Sequence, residues 1–429
     1  MKNLFGTDGL RGVYGDDLTD ELAYKLGLAL GEMYGPSLFV VGHDTRESAE
    51  PLQKALVKGL LEKGAKVKLA GVLPTPAVAM VSKLLDCFGI VISASHNPYQ
   101  YNGIKVLRSG FKLPDEEERK IELVMEAVSA GVEKGFAEFD PHLRELYIET
   151  LLKSFHGLDL SGLKIAVDLA NGAAIMTTPE VLNALGANVT CFSKEPNGKN
   201  INENCGSQHP EFLSERMRGF DLGILHDGDA DRCILLGENA EEIHGDKIMG
   251  VVAVQLKHEG RLRNDTVVAT IMSNKGLEDY LLDRGIKLTR VKVGDKYVLE
   301  GMIELGTNFG GERSGHIIFL DRSTTGDGLI TALEFLRLML STGKSASELS
   351  KEVEDYPQVL LNVPVADKSV AEHPTLKREI EKYLERFRIV VRASGTERLV
   401  RVMVEGKDET EVKRVAKEFC KLVHELDRG

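Results

Sequence analysis

The sequence predicts an α/β fold of four domains: three related α/β domains with mixed sheets, followed by a smaller α+β C-terminal domain, around a central cleft. Three observations lead there. A strand–helix–strand unit recurs three times, 429 residues exceed what one hydrophobic core supports, and the order of elements changes after Pro357. In the first unit, residues 38–42 read as a strand, 49–63 carry helical periodicity closed by Gly64, and 66–70 form a second strand. The same grammar returns from strand 163–168 through a helix ending at Gly186 to strand 188–192, and again from 266–271 through a helix ending at Gly285 to 287–291. After Pro357 come a strand at 359–363, a helical segment near 373–387, two strands around 392–395 and a closing helix at 409–426. The expected boundaries are 1–150, 151–246, 247–357 and 358–429.

Composition narrows the partners. A net charge of −12, with 42% hydrophobic and 28% charged residues, fits a globular protein and argues against nucleic acid or an anionic membrane. A small anionic substrate remains compatible, because screening limits distant surface charge to about 8 Å and a locally basic cleft can dominate. The five cysteines are widely spaced with no Cys-x-x-Cys pair, and read as reduced packing residues. The amino terminus has no apolar secretion core, and nothing approaches the roughly 20 apolar residues of a membrane span. A cytoplasmic protein is expected.

Residues 92–98, Ile-Ser-Ala-Ser-His-Asn-Pro, organise the chain. The strand 88–92 ends there in small polar residues and an Asn-Pro turn signal, placing Ser95 on an exposed loop at a strand's carboxyl end, where open α/β sheets carry their chemistry. His96 follows directly, as a supporting hydrogen-bond donor. Asn102-Gly103 reads as a tight turn back into a strand, which brings Lys105 close behind Ser95. The opening stretch, residues 5–12, sets three glycines around Asp8 and Arg11, whose guanidinium suits phosphate. Asp44 and Arg46 are expected to pair with each other, and residues 114–134 to form an exposed amphipathic helix.

Asp227, Asp229 and Asp231 alternate between two apolar strands, with Arg232 beside them. Carboxylates this close are unfavourable unless a cation sits among them, and hard oxygen ligands suit Mg²⁺ or Ca²⁺. An EF-hand is excluded because Arg232 occupies the position of the sharp-turn glycine and the flanks are strands. The third domain supplies Gly294 and Asp295 after a strand, then Gly-Gly-Glu-Arg-Ser-Gly-His at 310–316, in which Glu312, Ser314 and His316 can hold sugar hydroxyls and shuttle a proton. Residues 323–328 then open a helix that their hydroxyls would cap. In the last domain, Arg392, Ser394, Gly395 and Thr396, with Arg401 on the next strand, form a dianion cradle of charge-assisted donors. An exposed serine, a carboxylate cluster, a sugar loop and a separate phosphate cradle are together the parts of a phosphosugar mutase. Phosphoryl transfer asks mainly for positioning and charge stabilisation.

Ser-Ala-Ser-His-Asn-Pro at 93–98 with Asn-Gly-Ile-Lys at 102–105, Asp-Gly-Asp-Ala-Asp-Arg at 227–232, the 311–316 loop and Arg-Ala-Ser-Gly-Thr-Glu at 392–397 resemble the four signatures of the α-D-phosphohexomutase superfamily, in that family's order. The resemblance implies a heart-shaped four-domain enzyme with a phosphoserine at Ser95. It implies Mg²⁺ held by Asp227, Asp229, Asp231 and a Ser95 phosphate oxygen, and a sugar 1,6-bisphosphate as activator. It also implies sugar contacts from Glu312 and Ser314, with Arg232, Gly294 and Asp295 as further substrate contacts. The cradle of Arg392, Ser394, Gly395, Thr396 and Arg401 would grip the phosphate not being transferred, and Lys105, Arg11 and His316 would share the acid–base and charge-stabilising roles. Residues 5–12, 95–99 and 324–328 are most similar to the bacterial phosphoglucosamine mutase branch, implying interconversion of glucosamine 6-phosphate and glucosamine 1-phosphate by a monomer or homodimer. Two positions depart from that branch: Arg313 stands where glutamine is usual, and Arg398 replaces a proline. A cation beside the sugar loop disfavours an aminosugar's ammonium, so glucose or mannose phosphates form the alternative. A phosphoserine-type phosphohydrolase and a non-catalytic sugar-phosphate sensor are the remaining rivals.

Overall fold

The computed structural model describes residues 4–6, 8–394 and 398–428. The chain divides into two compact units, one comprising residues up to Met272 with Thr289–Ser350, the other Ser273–Leu288 with residues from Lys351 onward.

In the first unit the leading sheet is eight-stranded and mixed. Its centre is Phe88–Ile92, buried at every position and parallel to Leu38–His43, which in turn runs parallel to Lys66–Val72. A strand buried on both faces has no polar alternation, which is why this one reads as a continuous apolar run. Tyr101–Arg108 returns antiparallel beside it with Lys105 opposite Val91, so the tight turn delivers the lysine where the sequence places it. The helix expected over 114–134 forms over Asp115–Ala127, burying Ile121 and Met125 and leaving its acidic face to solvent.

The second sheet carries the repeat unit as Lys164–Asp168 parallel to Asn188–Phe192, and then adds the antiparallel hairpin Leu222–His226 with Cys233–Leu236. The aspartate loop joins these two buried strands. A third sheet orders Lys287–Val291, Thr266–Thr270, Phe309–Gly311 and Ile317–Phe319. The helix Gly328–Thr342 that follows is capped by a carboxylate rather than by the hydroxyls before it: Asp327 Oδ1 accepts from Leu329 N–H and Ile330 N–H at 3.0 Å each.

In the second unit, Gln358–Pro364, Leu399–Gly406 and Phe387–Ala393 form an antiparallel sheet backed by the closing helix Glu409–Arg428. The helical segment expected to reach 387 stops at Glu381. Phe387 is instead buried in this core and pairs with Gly406 at the head of a strand, so tertiary packing overrides the helical spacing. No helix among the described residues is long and apolar enough to cross a membrane.

Candidate active site

Ser95 follows the carboxyl end of Phe88–Ile92 as predicted, but it is buried, 2% exposed, where an exposed loop was expected. Distant residues enclose it. Its backbone is left-handed, φ +50°, a conformation that a non-glycine residue keeps only when its surroundings impose it. The imposing contacts are explicit. Ser93 Oγ accepts from Ser95 N–H at 2.9 Å, while Arg46 Nη2 and Asn202 Nδ2 each donate to the Ser95 carbonyl at 2.9 Å. Gly228 completes the enclosure, since a Cβ there would stand 2.7 Å from that same carbonyl.

The Ser95 hydroxyl donates to Asp227 Oδ2 at 2.6 Å, and His96 Nδ1 lies 3.3 Å from it. Burial, reinforced by the charges of Arg232 and Arg11, lowers the His96 pKa to about 4, so its ring is neutral near pH 7. A neutral imidazole can support the hydroxyl without adding charge.

The predicted aspartates converge. One carboxylate oxygen from each of Asp227, Asp229 and Asp231 lies within 4.8 Å of the others, and all three residues are buried. Thr75 Oγ1 donates to Asp229 Oδ2 at 2.6 Å, and Lys105 Nζ reaches the same oxygen at 3.0 Å and Asp231 Oδ2 at 3.4 Å. Asp229 Oδ1 and Asp231 Oδ1 have no hydrogen-bond partner among the described residues. The electrostatics mark the same imbalance. Burial raises Asp227 well above its usual range, with Asp231 and Asp229 pushing the same way, and burial also raises Asp231. For Asp229 burial acts upward too, but Lys105 and the Thr75 hydroxyl outweigh it and hold the group at about 2. Buried carboxylate oxygens without a hydrogen bond, with only the Arg232 guanidinium near one of them at 3.9 Å, form a donor set suited to a hard divalent cation.

Lys105 is itself buried, and Asp229, Asp8 and Asp231 raise its pKa well above normal against the opposing effect of burial. Arg11 Nη2 donates to Asp8 Oδ2 at 2.5 Å, and Lys105 Nζ is 3.0 Å from that oxygen. His316 stands just before Ile317–Phe319 and forms a bridge with Arg232, bringing the sugar loop beside the aspartate loop. Glu312 Oε1 accepts from Gly294 N–H at 3.1 Å, and Ser314 Oγ lies 3.4 Å from Glu312 Oε2. Glu312, Ser314 and Arg232 line a cavity of about 520 Å³, shared with Ser207, Gln208 and Arg313. That volume is in the range that takes a small ligand.

The phosphate-cradle residues lie in the second unit. Arg392 and Arg401 are directly paired across two antiparallel strands, Arg392 exposed and Ser394 buried. Lys368, which the sequence reading passed over, donates to the Ser394 carbonyl at 3.0 Å. Gly395 and Thr396 lie outside the described residues.

Comparison with known proteins agrees with this geometry. Sequence models of phosphoglucomutase/phosphomannomutase match the chain as α/β/α domain I over residues 2–131, domain II over 145–240, domain III over 244–356 and the C-terminal domain over 360–422. The chain belongs to this family. Among its relatives, the phosphoglucosamine mutase of Thermotoga petrophila is 51% identical over 426 residues, 98% of each chain. The fold of this phosphohexomutase is shared with a phosphoglucomutase/phosphomannomutase family protein from Burkholderia thailandensis, at a TM-score of 0.84 and 23% identity over 100% of this chain and 98% of that one. It is shared more distantly with Aspergillus fumigatus N-acetylphosphoglucosamine mutase, solved with GlcNAc-6P and magnesium, at 0.63 and 18% over 99% and 96%. The four-domain α/β expectation and the superfamily assignment both hold.

Proposed function

We propose that this phosphohexomutase interconverts glucosamine 6-phosphate and glucosamine 1-phosphate, with Ser95 carrying a phosphoryl group to and from a bisphosphorylated sugar. The observation that carries this is the Ser95 hydroxyl donating at 2.6 Å into a buried carboxylate triad in which Asp229 Oδ1 and Asp231 Oδ1 lack a hydrogen-bond partner among the described residues. Asp227, Asp229 and Asp231, with an oxygen of the Ser95 phosphate, would hold Mg²⁺. When bound, that ion supplies charge neutralisation at the transferring phosphoryl group.

The chain's own residues take the other roles. A phosphoserine facing a sugar phosphate brings a charge approaching −4, and Arg11 and Lys105 offset it. Arg11, Lys105 and His316 are the groups from which the proton donor and acceptor for the sugar hydroxyl are drawn. Glu312 and Ser314 hold sugar hydroxyls, with Arg232, Gly294 and Asp295 completing the substrate contacts. Arg392, Ser394, Gly395, Thr396 and Arg401 hold the phosphate not being transferred. In this assignment residues 1–150 bear the phosphoserine, 151–246 the metal ligands, 247–357 the sugar loop and 358–429 the phosphate cradle. A sugar 1,6-bisphosphate serves as activator by loading Ser95, and the reduced cysteines fit a cytoplasmic setting.

Arg313 decides the choice of sugar. Its Nη1 lies 3.1 Å from Asp246 Oδ2, and the Asp246 side chain is only 1% exposed. The cation that would repel an aminosugar's ammonium is thus countered by a carboxylate in the first turn of the helix Gly245–His258. The test compares kcat/KM for glucosamine, glucose and mannose phosphates on one preparation. Glucosamine phosphate is expected to lead, and Asp246→Asn to lower its kcat/KM by about tenfold while sparing glucose phosphate. A preference for glucose or mannose phosphate in the wild type would replace this reading with the phosphoglucomutase or phosphomannomutase one. Release of free phosphate at the rate of substrate loss would point to a hydrolase, and tight binding without isomerisation to a sensor.

A further inference from the structure

We propose that Lys112, outside the residues assigned above, is a positioning residue for phosphoryl transfer; the role rests on the mutase reading. The two-residue strand Phe111–Lys112 folds back antiparallel on Tyr101–Arg108, with Lys112 opposite Leu107. Side chains alternate along a strand and cross-strand partners share a face, so Lys112 stands on the same face as Lys105. Its Nζ donates to Asp8 Oδ1 at 2.5 Å and also to Asp295 Oδ2. The other oxygen of Asp8 holds Arg11 at 2.5 Å and Lys105 at 3.0 Å, while Asp295 Oδ2 lies 3.7 Å from His316 Nε2. One ammonium therefore ties together the two sets of acid–base candidates, Arg11 and Lys105 through Asp8 and His316 through Asp295.

The local chemistry makes this tie consequential. Gly326 N–H reaches His316 Nε2 at 3.3 Å, whereas Nδ1 is buried and has no hydrogen-bond partner among the described residues. The orientation of that ring is set by its Nε2 side, where Asp295 sits. Burial would push Asp8 and Asp295 upward, but nearby cations hold both below the usual carboxylate range, Lys105, Lys112 and Arg11 for Asp8 and chiefly Lys112 for Asp295. Without Lys112, two partly buried carboxylates would share a space with no ammonium between them. Asp8 would then draw Lys105 away from Asp229, and Asp295 would lose the contact that fixes it beside His316.

The test is steady-state isomerisation of glucosamine phosphate by full-length Lys112→Met, with thermal melting of each variant. The expected kcat falls about 10- to 100-fold with KM within about threefold of wild type, and Lys112→Arg recovers most of the loss. Lys296→Met is the control, since Lys296 pairs with Asp115 and so links the same two parts of the first unit away from the transfer site. Its kcat should stay within about twofold. An unchanged kcat for Lys112→Met, or an equal fall for Lys296→Met, would overturn the role, the second by making Lys112 a mere docking contact. If Lys112→Met does not fold, Asp295→Asn removes the same tie from the other end, and an unchanged kcat there would overturn it equally. A wild-type chain that does not isomerise any hexose phosphate would refute the mutase reading and this role with it; an active wild type with an indifferent Lys112→Met refutes this role alone.

Discussion

Two buried charge clusters meet the Ser95 loop, and they are built in opposite ways. In the first, Asp44 and Arg46 are both 0% exposed and their bonding capacity is spent. Arg46 Nε donates to Asp44 Oδ2 at 2.9 Å, Nη1 to the Pro98 carbonyl at 2.5 Å, and Nη2 to the Ser95 and Asn97 carbonyls at 2.9 and 2.8 Å. Asp44 Oδ2 also accepts from Ser93 Oγ at 2.6 Å. In the second, Asp227, Asp229 and Asp231 are also buried, but two of their oxygens lack a hydrogen-bond partner among the described residues and two of their pKa values are raised. The difference separates scaffold from site. A closed ion pair fixes the backbone of Ser95, and an open excess of carboxylates lies beside its hydroxyl, which on the proposed function a cation and a phosphoryl group would balance.

The contrast is tested most strongly at the open cluster. Asp227→Asn should lower kcat by about 1,000-fold, because it removes both the hydroxyl's partner and a proposed metal ligand. In the absence of divalent cations its melting temperature should match or exceed wild type, since a like charge has been removed. A large loss of metal-free stability would show that the cluster is scaffold after all. The closed pair should behave in reverse. Arg46→Ala strands Asp44 in the interior and takes one donor from each of three carbonyls, which should cost about 3 to 4 kcal/mol in chemical denaturation. A wild-type denaturation midpoint would contradict the assignment.

Asp327 sharpens the comparison from a third position. It is fully partnered, by Leu329 N–H, Ile330 N–H and the Tyr147 hydroxyl, but none of these is a cation, and burial raises its pKa to about 6. The folded state therefore holds this proton more tightly than the unfolded chain does. Its contribution to stability is fully present below about pH 4, is lost as pH rises to about 6 and is level above that, a loss of about 3 kcal/mol. Asp327→Asn keeps the cap and should flatten this slope relative to wild type; an unaltered slope would show that the carboxyl titrates normally.

What was legible in the sequence follows from the same physics. Strands, the repeated strand–helix–strand unit and the motif loops depend on local pattern, and so they read directly. The Asp44–Arg46 pair lies within three residues and was legible for that reason. The burial of Ser95 was not, because Asn202, Gly228 and Asp227 enclose it from more than 100 positions away. Lys112 was missed although a signal existed: the turn at Gly110, φ +84°, folds a second lysine back onto the face of Lys105. Arg313 could be seen as a departure, but its neutralisation by Asp246, 67 positions earlier, could not. The Asp327 cap was obscured by the run of hydroxyls before it, which are equally good capping residues by type.

The central claim is that the open cluster exists to serve a phosphoryl group on Ser95. Intact-mass measurement of the wild type and of Ser95→Ala, before and after mixing with a sugar 1,6-bisphosphate and Mg²⁺, tests it most directly. The account predicts that the wild type gains the mass of one phosphoryl group, lost again on adding hexose phosphate, and that Ser95→Ala gains nothing and does not turn over. A Ser95→Ala enzyme that is still phosphorylated, or that isomerises at the normal rate, would contradict it.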